Sequence, residues 1–332
     1  MKINCHCHIF SLDCVPLGFR REFALDLQHP GHRLLHSTLH KLLKDQFKLD
    51  TWLKFAEFSI GEIADRLIDE MDEAGIEAAT PLSVDLEFCE KYGGTTKSFL
   101  QQIDETLAAV QATTERCGRQ RLFPFIGADP RREGIADLIL AHLQARRFFG
   151  VKIYPVMGFL PDDERLQPVY DYCERQRVPV TAHCQNGGLP GFTGYYDTAH
   201  PNNWRPVLER FPKLVLNLAH NDTTGSTWQP PLFQLMRDFP HVYTDVSFDT
   251  EMFYQPGTYF RSIKSLLNDK QLCERVLYGT DWYMGRFLWT EKTYLDWFTR
   301  FSRKIFWDSV QFTTAEIRRL VEENPARFLG WS

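Results

Sequence analysis

The chain has 332 residues, of which 43% are hydrophobic, 14% aromatic and 24% charged, and its formal net charge is −5. This length can bury a large core as one α/β domain or as two smaller ones, and the composition excludes long disordered spans. The acidic balance, without any basic block, disfavours nucleic acid and anionic membranes as partners.

The sequence also bears on cellular location. Its start has no apolar signal-peptide segment, and no apolar run is long enough to span a bilayer. The eight cysteines are scattered without a CxxC pair, which is typical of reduced, mostly buried thiols. These features predict a cytoplasmic protein without a membrane partner.

The first predicted strand, residues 3–10, carries two histidines spaced by two. In an extended chain Asn4, His6 and His8 would lie on one face. Cys5 and Cys7 alternate with them and are expected to face the helices, away from any metal. Two imidazoles on one strand face can share a zinc ion, but surface or helix-cap histidines would show the same pattern. The strand alone leaves both interpretations open.

A polar segment with helical spacing of leucines follows, over residues 11–60. Its histidines His32, His36 and His40 recur every four residues and would stack along one helix face. A second metal site there is conceivable. A solvated helix face or a lid over the active site is favoured, because no carboxylate or cysteine shares that spacing.

Helical and extended segments alternate from residue 61 onward. The predicted helices span residues 63–74, 99–116, 135–147, 166–177, 204–211, 232–239 and 263–268. The predicted strands that follow them span residues 76–82, 122–127, 151–154, 178–183, 214–220, 242–246 and 276–281. Gly75 and Gly118 are placed to end the first two of these helices.

This order predicts an α/β protein: a single (β/α)8 TIM barrel over residues 1–332, with a helical insertion at residues 11–60 after the first strand. Eight strands alternating with helices are typical of a parallel sheet that helices cover. A doubly wound open sheet is the alternative. It is disfavoured because no GxGxxG phosphate loop follows an early strand.

Polar side chains stand near the C-terminal ends of several strands, where the catalytic groups of a barrel gather. They are His6 and His8 on the first strand, Lys152 on the fourth, His183 on the fifth, His220 on the sixth and Asp281 on the eighth. Each histidine taken alone would more often be structural. Because all are predicted to face one mouth, the set favours a metal site.

Six segments together resemble the amidohydrolase superfamily, and within it the amidohydrolase-related ("amidohydrolase 2") branch, which includes aromatic-acid decarboxylases. The matching segments are residues 4–8, 150–155, 179–183, 203–220, 278–282 and 323–330. They cover the barrel from end to end and leave the insertion unmatched. Each segment alone would be a weak signal.

The resemblance implies that His6, His8, His183 and Asp281 bind a divalent metal, most often zinc with manganese as the alternative. One ion is favoured over two. His220 would lie beside the ion as a second-metal ligand or as a catalytic acid or base. Lys152 has three readings: a carboxylated lysine that bridges two metals, a cation that binds substrate, or a member of a buried ion pair.

This ligand set implies a metal-dependent hydrolase that acts on an amide, lactone or ester-like carbonyl. The metal can lower the pKa of a bound water from ~15.7 to about 7. Asp281 would orient this water and accept its proton, and His220 would polarise the carbonyl or protonate the leaving group. The alternatives are a nonoxidative decarboxylase of an aromatic or unsaturated acid, and an inactive metal-binding barrel.

The expected partner is a small-molecule substrate, and a homo-oligomer is compatible with the sequence. Tyr154, Trp282 and Arg286 are candidate substrate contacts, since aromatic groups beside a cation suit an aromatic or carboxylate-bearing molecule. The alternative is that Trp282 packs on the barrel rim and Arg286 is a surface residue.

Overall fold

Eight short parallel strands alternate with helices in the part of the chain that the structure describes. The computed structural model describes residues 1–22, 57–188, 196–221, 227–249, 252, 255–282, 289–299 and 310–331. The strands are β1 (Ile3–Cys7), β2 (Ala78–Pro81), β3 (Phe125–Ala128), β4 (Gly150–Ile153), β5 (Val180–Ala182), β6 (Leu216–Leu218), β7 (Val242–Asp245) and β8 (Val276–Leu277).

The helices within the described residues lie between these strands and after the last of them. They are α1 (Leu17–Glu22), α2 (Ile60–Ala74), α3 (Phe99–Cys117), α4 (Ile135–Gln144), α5 (Gln167–Gln176), α6 (Arg205–Arg210), α7 (Gln229–Asp238), α8 (Pro256–Asn268), α9 (Glu291–Thr299), α10 (Thr314–Arg318) and α11 (Asn324–Phe328).

The strands form a ring in sequence order. β1 pairs with β2, and β3 to β8 form a parallel six-stranded sheet. Parallel bridges from Ala79 to Leu122 and from Leu82 to Phe125 join the two sheets, and a bridge from Cys7 to Trp282 joins β1 to the chain after β8. Each strand therefore neighbours the next and the last neighbours the first, which confirms the predicted (β/α)8 barrel.

The predicted ends of the early helices are confirmed. Ser59 caps α2 in a capping box with Glu62, and Gly75 ends the helix in the left-handed conformation. Gly118 ends α3 in the same way. The prediction was wrong for α8, which begins at Pro256 and not at residue 263, because a proline suits the first turn of a helix. Most strands are shorter than predicted.

An irregularity interrupts the pairing of β1 with β2. The pairing of β1 with β2 shifts between Asn4 and Cys7, as in a β-bulge. Asn4 donates to Glu291 of α9, while Cys5 packs in a cluster inside the ring with Phe125 and Leu277. The predicted strict alternation was therefore wrong for Asn4 and Cys5. It was right for Cys7, which packs in the main core with the helices.

The core has two parts. The larger part lies between the strands and the surrounding helices and includes Val151 and Ile153 of β4. The smaller part contains Phe125 and Tyr243, and Phe328 of α11 packs against both. α11 therefore closes the end of the ring opposite the C-terminal ends of the strands.

The predicted insertion at residues 11–60 lies largely outside the described residues, and so do the histidines at positions 32, 36 and 40. Its described parts include α1 and the residues that start α2. The domain boundaries stay a prediction. No helix in the described ranges combines the length and apolar character needed to cross a membrane.

A buried polar network ties β1 to the chain after β8 and to two helices. The Asn4 amide donates to Thr280 Oγ1 at 2.8 Å and to Glu291 Oε1 at 2.7 Å, and Thr280 donates to the same oxygen at 2.6 Å. Glu70 of α2 accepts from Trp282 Nε1 at 3.0 Å and from the Glu291 backbone at 3.1 Å. Burial, with the nearby charge of Glu70, raises the pKa of Glu291 to about 8.

We expect this raised pKa to make stability depend on pH. Folded Glu291 keeps its proton up to about pH 8, whereas the unfolded carboxyl loses it near its usual value of 4.5. The folded state therefore binds more protons between these values, and the free energy of unfolding falls as pH rises. We expect the free energy of unfolding, measured in urea, to fall between pH 5 and pH 8 in wild type. This fall should exceed that of Glu291→Gln by more than about 1 kcal/mol.

Glu62→Gln is the matched control for this measurement. Glu62 is an exposed capping residue whose pKa is lowered by its bonds to Ser59, so both pH values lie above it. The difference in the free energy of unfolding between wild type and Glu62→Gln should stay constant from pH 5 to pH 8. An equally constant difference for Glu291→Gln would contradict the neutral state of Glu291.

Candidate metal centre

Five of the predicted site residues lie at the C-terminal rim of the barrel. His6 lies within β1 and His8 just after it, and His183, His220 and Asp281 follow β5, β6 and β8. All five side chains are buried, with no more than 8% of any residue exposed. The rim therefore brings together side chains from four strands.

Backbone contacts fix the position of Asp281 against His6. The amides of Thr280 and Asp281 both donate to the His6 carbonyl, at 3.1 and 2.9 Å. Gly279 allows this approach, because a Cβ at that position would lie 2.6 Å from the His6 Cβ. Asp281 and His220 both have positive φ, 52° and 79°. Such backbone strain in residues with a Cβ is typical of functional sites.

His6, His8 and Asp281 form one compact group whose potential ligand atoms lie within 4.8 Å of one another. Asp281 Oδ1 lies 3.0 Å from His8 Nε2 and 3.5 Å from His6 Nε2. His220 lies between His183 and this group. The Nδ1 atom of His183 is 3.0 Å from His220 Nε2, and the ring centres of His220 and His6 are 4.9 Å apart.

Hydrogen-bond partners determine which ring nitrogens carry protons. His8 Nδ1 lies 2.7 Å from the Leu82 carbonyl and His183 Nε2 lies 2.8 Å from the Gly187 carbonyl. His6 Nδ1 lies 2.9 Å from Asp245 Oδ2. Carbonyl and carboxylate oxygens accept, so these three nitrogens donate. The opposite nitrogens, His6 Nε2, His8 Nε2 and His183 Nδ1, then carry lone pairs.

These lone pairs fit a divalent cation. Within the described part of the chain, His6 Nε2 is buried and has no hydrogen-bond partner. His8 Nε2 and Asp281 Oδ1 are both acceptors at 3.0 Å, and two acceptors repel at this distance unless a cation lies between them. Two ligand atoms of a tetrahedral zinc lie about 3.4 Å apart, which is close to the separations of 3.0 and 3.5 Å seen here.

Burial favours the neutral form of three of these imidazoles, which is the form that binds metal. Burial lowers the pKa of His6 and takes that of His183 well below its ordinary value. Burial, together with the charge of His6, lowers the pKa of His220 to about 3.

Asp245, at the end of β7, holds the site together through hydrogen bonds. Its carboxylate is fully buried and accepts five hydrogen bonds. The donors are His6 Nδ1, Asn217 Nδ2, the backbone amides of His220 and Ser247, and the Ser247 hydroxyl. Burial alone would raise the pKa of Asp245, but His6 and these hydrogen bonds hold it well below its usual value.

Sequence reasoning missed Asp245, although one signal could have found it. Like His183 and Asp281, it is a polar residue that ends an apolar strand. His6, His220 and Asp245 also lie close enough together to suggest an ion site. The five donors around Asp245 engage the lone pairs of its carboxylate, so Asp245 supports the site through hydrogen bonds.

Lys152 of β4 is buried with 1% exposure, between Val151 and Ile153, which face the outer core. Among the described residues it has no hydrogen bond or ion pair, so the predicted ion pair is not seen there. Its ammonium lies 6.0 Å from the Tyr154 ring centre. Burial lowers the pKa of Lys152 to about 8, against the opposing pull of the Asp245 and Asp281 charges.

The remaining substrate-contact predictions have different outcomes. The Tyr154 ring is half-buried and lies 4.9 Å from the His183 ring, beside the site. Trp282 is 1% exposed, packs in the main core and donates its indole N–H to Glu70 of α2. Trp282 as a substrate contact was therefore wrong. Arg286 lies outside the described residues.

A family comparison and a structural comparison agree with this architecture. The family model described as amidohydrolase matches residues 3–331. No match was found among curated proteins. An uncharacterised TIM-barrel protein from Bordetella bronchiseptica is 18% identical, with a TM-score of 0.61 over 99% of this chain and 98% of that one.

Two further solved structures share the fold. A probable 2-pyrone-4,6-dicarboxylic acid hydrolase from Acinetobacter baumannii, with citric acid bound, is 14% identical, with a TM-score of 0.59 and 99% of both chains covered. An amidohydrolase from Burkholderia multivorans with bound zinc is 12% identical, with a TM-score of 0.58 and the same coverage.

Proposed function

Because the chain belongs to the amidohydrolase family, we propose that it is a metal-dependent hydrolase of a small, carboxylate-bearing amide, lactone or ester. The observation that carries this proposal is the convergence of unprotonated histidine nitrogens on the Asp281 carboxylate at one buried position on the barrel rim. Neutral imidazoles and one carboxylate, held by different strands, form a donor set that zinc prefers.

The proposed ligands of a single ion are His6, His8, His183 and Asp281. Zinc is the first choice and manganese the second, and the zinc bound by the Burkholderia multivorans protein supports this choice. Such an ion, when bound, acidifies a water molecule and polarises a carbonyl group. The hydrogen bond that each histidine makes with its other nitrogen fixes the ring so that the ligand atom is already aimed.

Asp281 is the proposed base. Its carboxylate accepts a proton from the attacking water as the water oxygen adds to the substrate carbonyl carbon. The bond from this carbon to the leaving nitrogen or oxygen then breaks, and the leaving group takes up a proton. His220, which lies between His6 and His183, is the proposed second proton carrier.

Lys152 is the proposed anchor for a substrate carboxylate. No carboxylate of the described residues makes an ion pair with the Lys152 ammonium. A buried charge without a direct partner is costly, and a substrate carboxylate that binds to it recovers this cost. Tyr154 lies beside Lys152 and His183, where its ring would pack against the body of the substrate. A dicarboxylic acid hydrolase among the structural neighbours supports an anionic substrate.

We expect the purified protein to contain about one equivalent of zinc or manganese. His8→Ala should lower the metal content measured by elemental analysis. His241→Gln, at the start of β7, is the control and should leave it unchanged. Two equivalents, together with a dependence of activity on bicarbonate, would instead indicate that Lys152 is carboxylated. A metal-free protein that gains no activity when metal is added would contradict the proposal.

Turnover on a substrate panel tests the reaction class. We expect ring opening of lactones or cleavage of amides, and no release of carbon dioxide from hydroxybenzoates. Asp281→Asn should lower the rate by at least about 100-fold while the circular dichroism spectrum stays unchanged. Carbon dioxide release with no hydrolysis would assign a decarboxylase. No turnover on any substrate with full metal content would favour an inactive barrel.

Lys152→Met tests the substrate class. The KM for carboxylate-bearing substrates should rise by about 10- to 100-fold, since a hydrogen bond to a charged group contributes about 1.5–3 kcal/mol. The KM for a neutral ester of the same acid should change little, which makes the ester the internal control. Equal losses on both substrates would mean that Lys152 acts through the structure of the site and not through the carboxylate.

A further inference from the structure

Ser247, two residues after β7, lies between the Asp245 carboxylate and the His220 ring. Its hydroxyl oxygen is 2.5 Å from Asp245 Oδ1 and 2.8 Å from His220 Nδ1. The side chain is fully buried. The hydroxyl has a single hydrogen, so it can donate to one of these two neighbours and must accept from, or repel, the other.

The hydrogen count favours donation to Asp245. The carboxylate has no proton to give, so a contact of 2.5 Å needs the hydrogen of Ser247 between the two oxygens. If Ser247 donated to His220 instead, two oxygen lone pairs would face each other at that distance in a buried site. His220 Nδ1 must therefore donate to the Ser247 oxygen.

We propose that Ser247 is a positioning residue that holds His220 in the tautomer protonated at Nδ1. A neutral imidazole has one N–H, so His220 Nε2, which faces His183 Nδ1 at 3.0 Å, carries a lone pair. His183 Nδ1 carries one as well, because its Nε2 donates to Gly187. Two lone pairs at this distance match two nitrogens that face the same cation.

This assignment deepens the proposed function and limits the role of His220. Its Nε2 starts without a proton, so His220 enters the reaction as a proton acceptor or as a ligand. It can donate to a leaving group only after it has taken a proton from the water or the substrate. The chain from Asp245 through Ser247 to His220 therefore sets the direction of proton transfer at His220, which must accept a proton before it can donate one.

The tautomer can be read in the zinc-loaded protein by two-bond ¹H–¹⁵N correlation spectra after selective labelling of histidine. The His220 signals are identified by their loss in His220→Asn. We expect wild type to show the pattern of an imidazole protonated at Nδ1. Ser247→Ala should lose this pattern, and Ser247→Thr should restore it because it keeps the hydroxyl.

Thr244→Val is the matched control. It removes another buried hydroxyl of β7, which donates to the Leu218 carbonyl at 2.8 Å and has no bond to His220. Its His220 spectrum should match that of wild type. A wild-type pattern of protonation at Nε2 would overturn the proposal, and so would an unchanged tautomer in Ser247→Ala. If Ser247→Ala does not fold, the His220 tautomer in the spectra of wild type and Ser247→Thr still tests the proposal.

Zinc affinity gives a second readout that needs no substrate. Ser247 donates to Asp245, whose carboxylate accepts from the proposed ligand His6. Loss of a bond that helps to orient a ligand typically weakens metal binding by about 10- to 100-fold, so competition titration should show this loss for Ser247→Ala and not for Thr244→Val. A protein without hydrolase activity that still shows the Nδ1 tautomer would contradict the proposed function alone. Hydrolysis with the opposite tautomer would contradict the role of Ser247 alone.

Discussion

The arrangement of the rim depends on the buried carboxylate of Asp245. A charge without solvent persists in a protein interior only when hydrogen bonds replace its hydration. Five donors do so here, and they come from β1, from β6 and the residues after it, and from the turn that follows β7. Each donor is fixed by the bond it makes, so one carboxylate orients His6, His220 and Ser247 together.

The electrostatic balance of the site follows from this arrangement. Asp245 and Asp281 are two buried carboxylates whose charges favour the protonated form of the buried Lys152 ammonium, while burial lowers its pKa to about 8. The imidazoles between them stay neutral because burial disfavours their charged forms. A divalent cation and an anionic substrate would complete this balance, the cation against Asp281 and the anion against Lys152.

The sequence predicts the barrel well, because extended and helical segments alternate along the chain and the strand ends converge by topology. It predicts the cluster of His6, His8 and Asp281 for the same reason. It does not predict that the Asn4 amide donates to Thr280 and Glu291, because the bulge in β1 depends on pairing with β2. The partner of Trp282 comes from α2, far away in sequence. Asp245 could have been predicted, because it is a polar residue at the end of a strand, as His183 is.

The position of the metal centre within the ring has a mechanical consequence. His6 and His8 belong to the first strand and Asp281 follows the last, so an ion bound to all three would bridge the seam at which the barrel closes. Such an ion would tie together the two ends of nearly the whole chain, and a cross-link across so long a loop restricts the unfolded chain strongly. Ion binding and closure of the barrel would then be coupled: loss of the ion would loosen the barrel where its first and last strands meet.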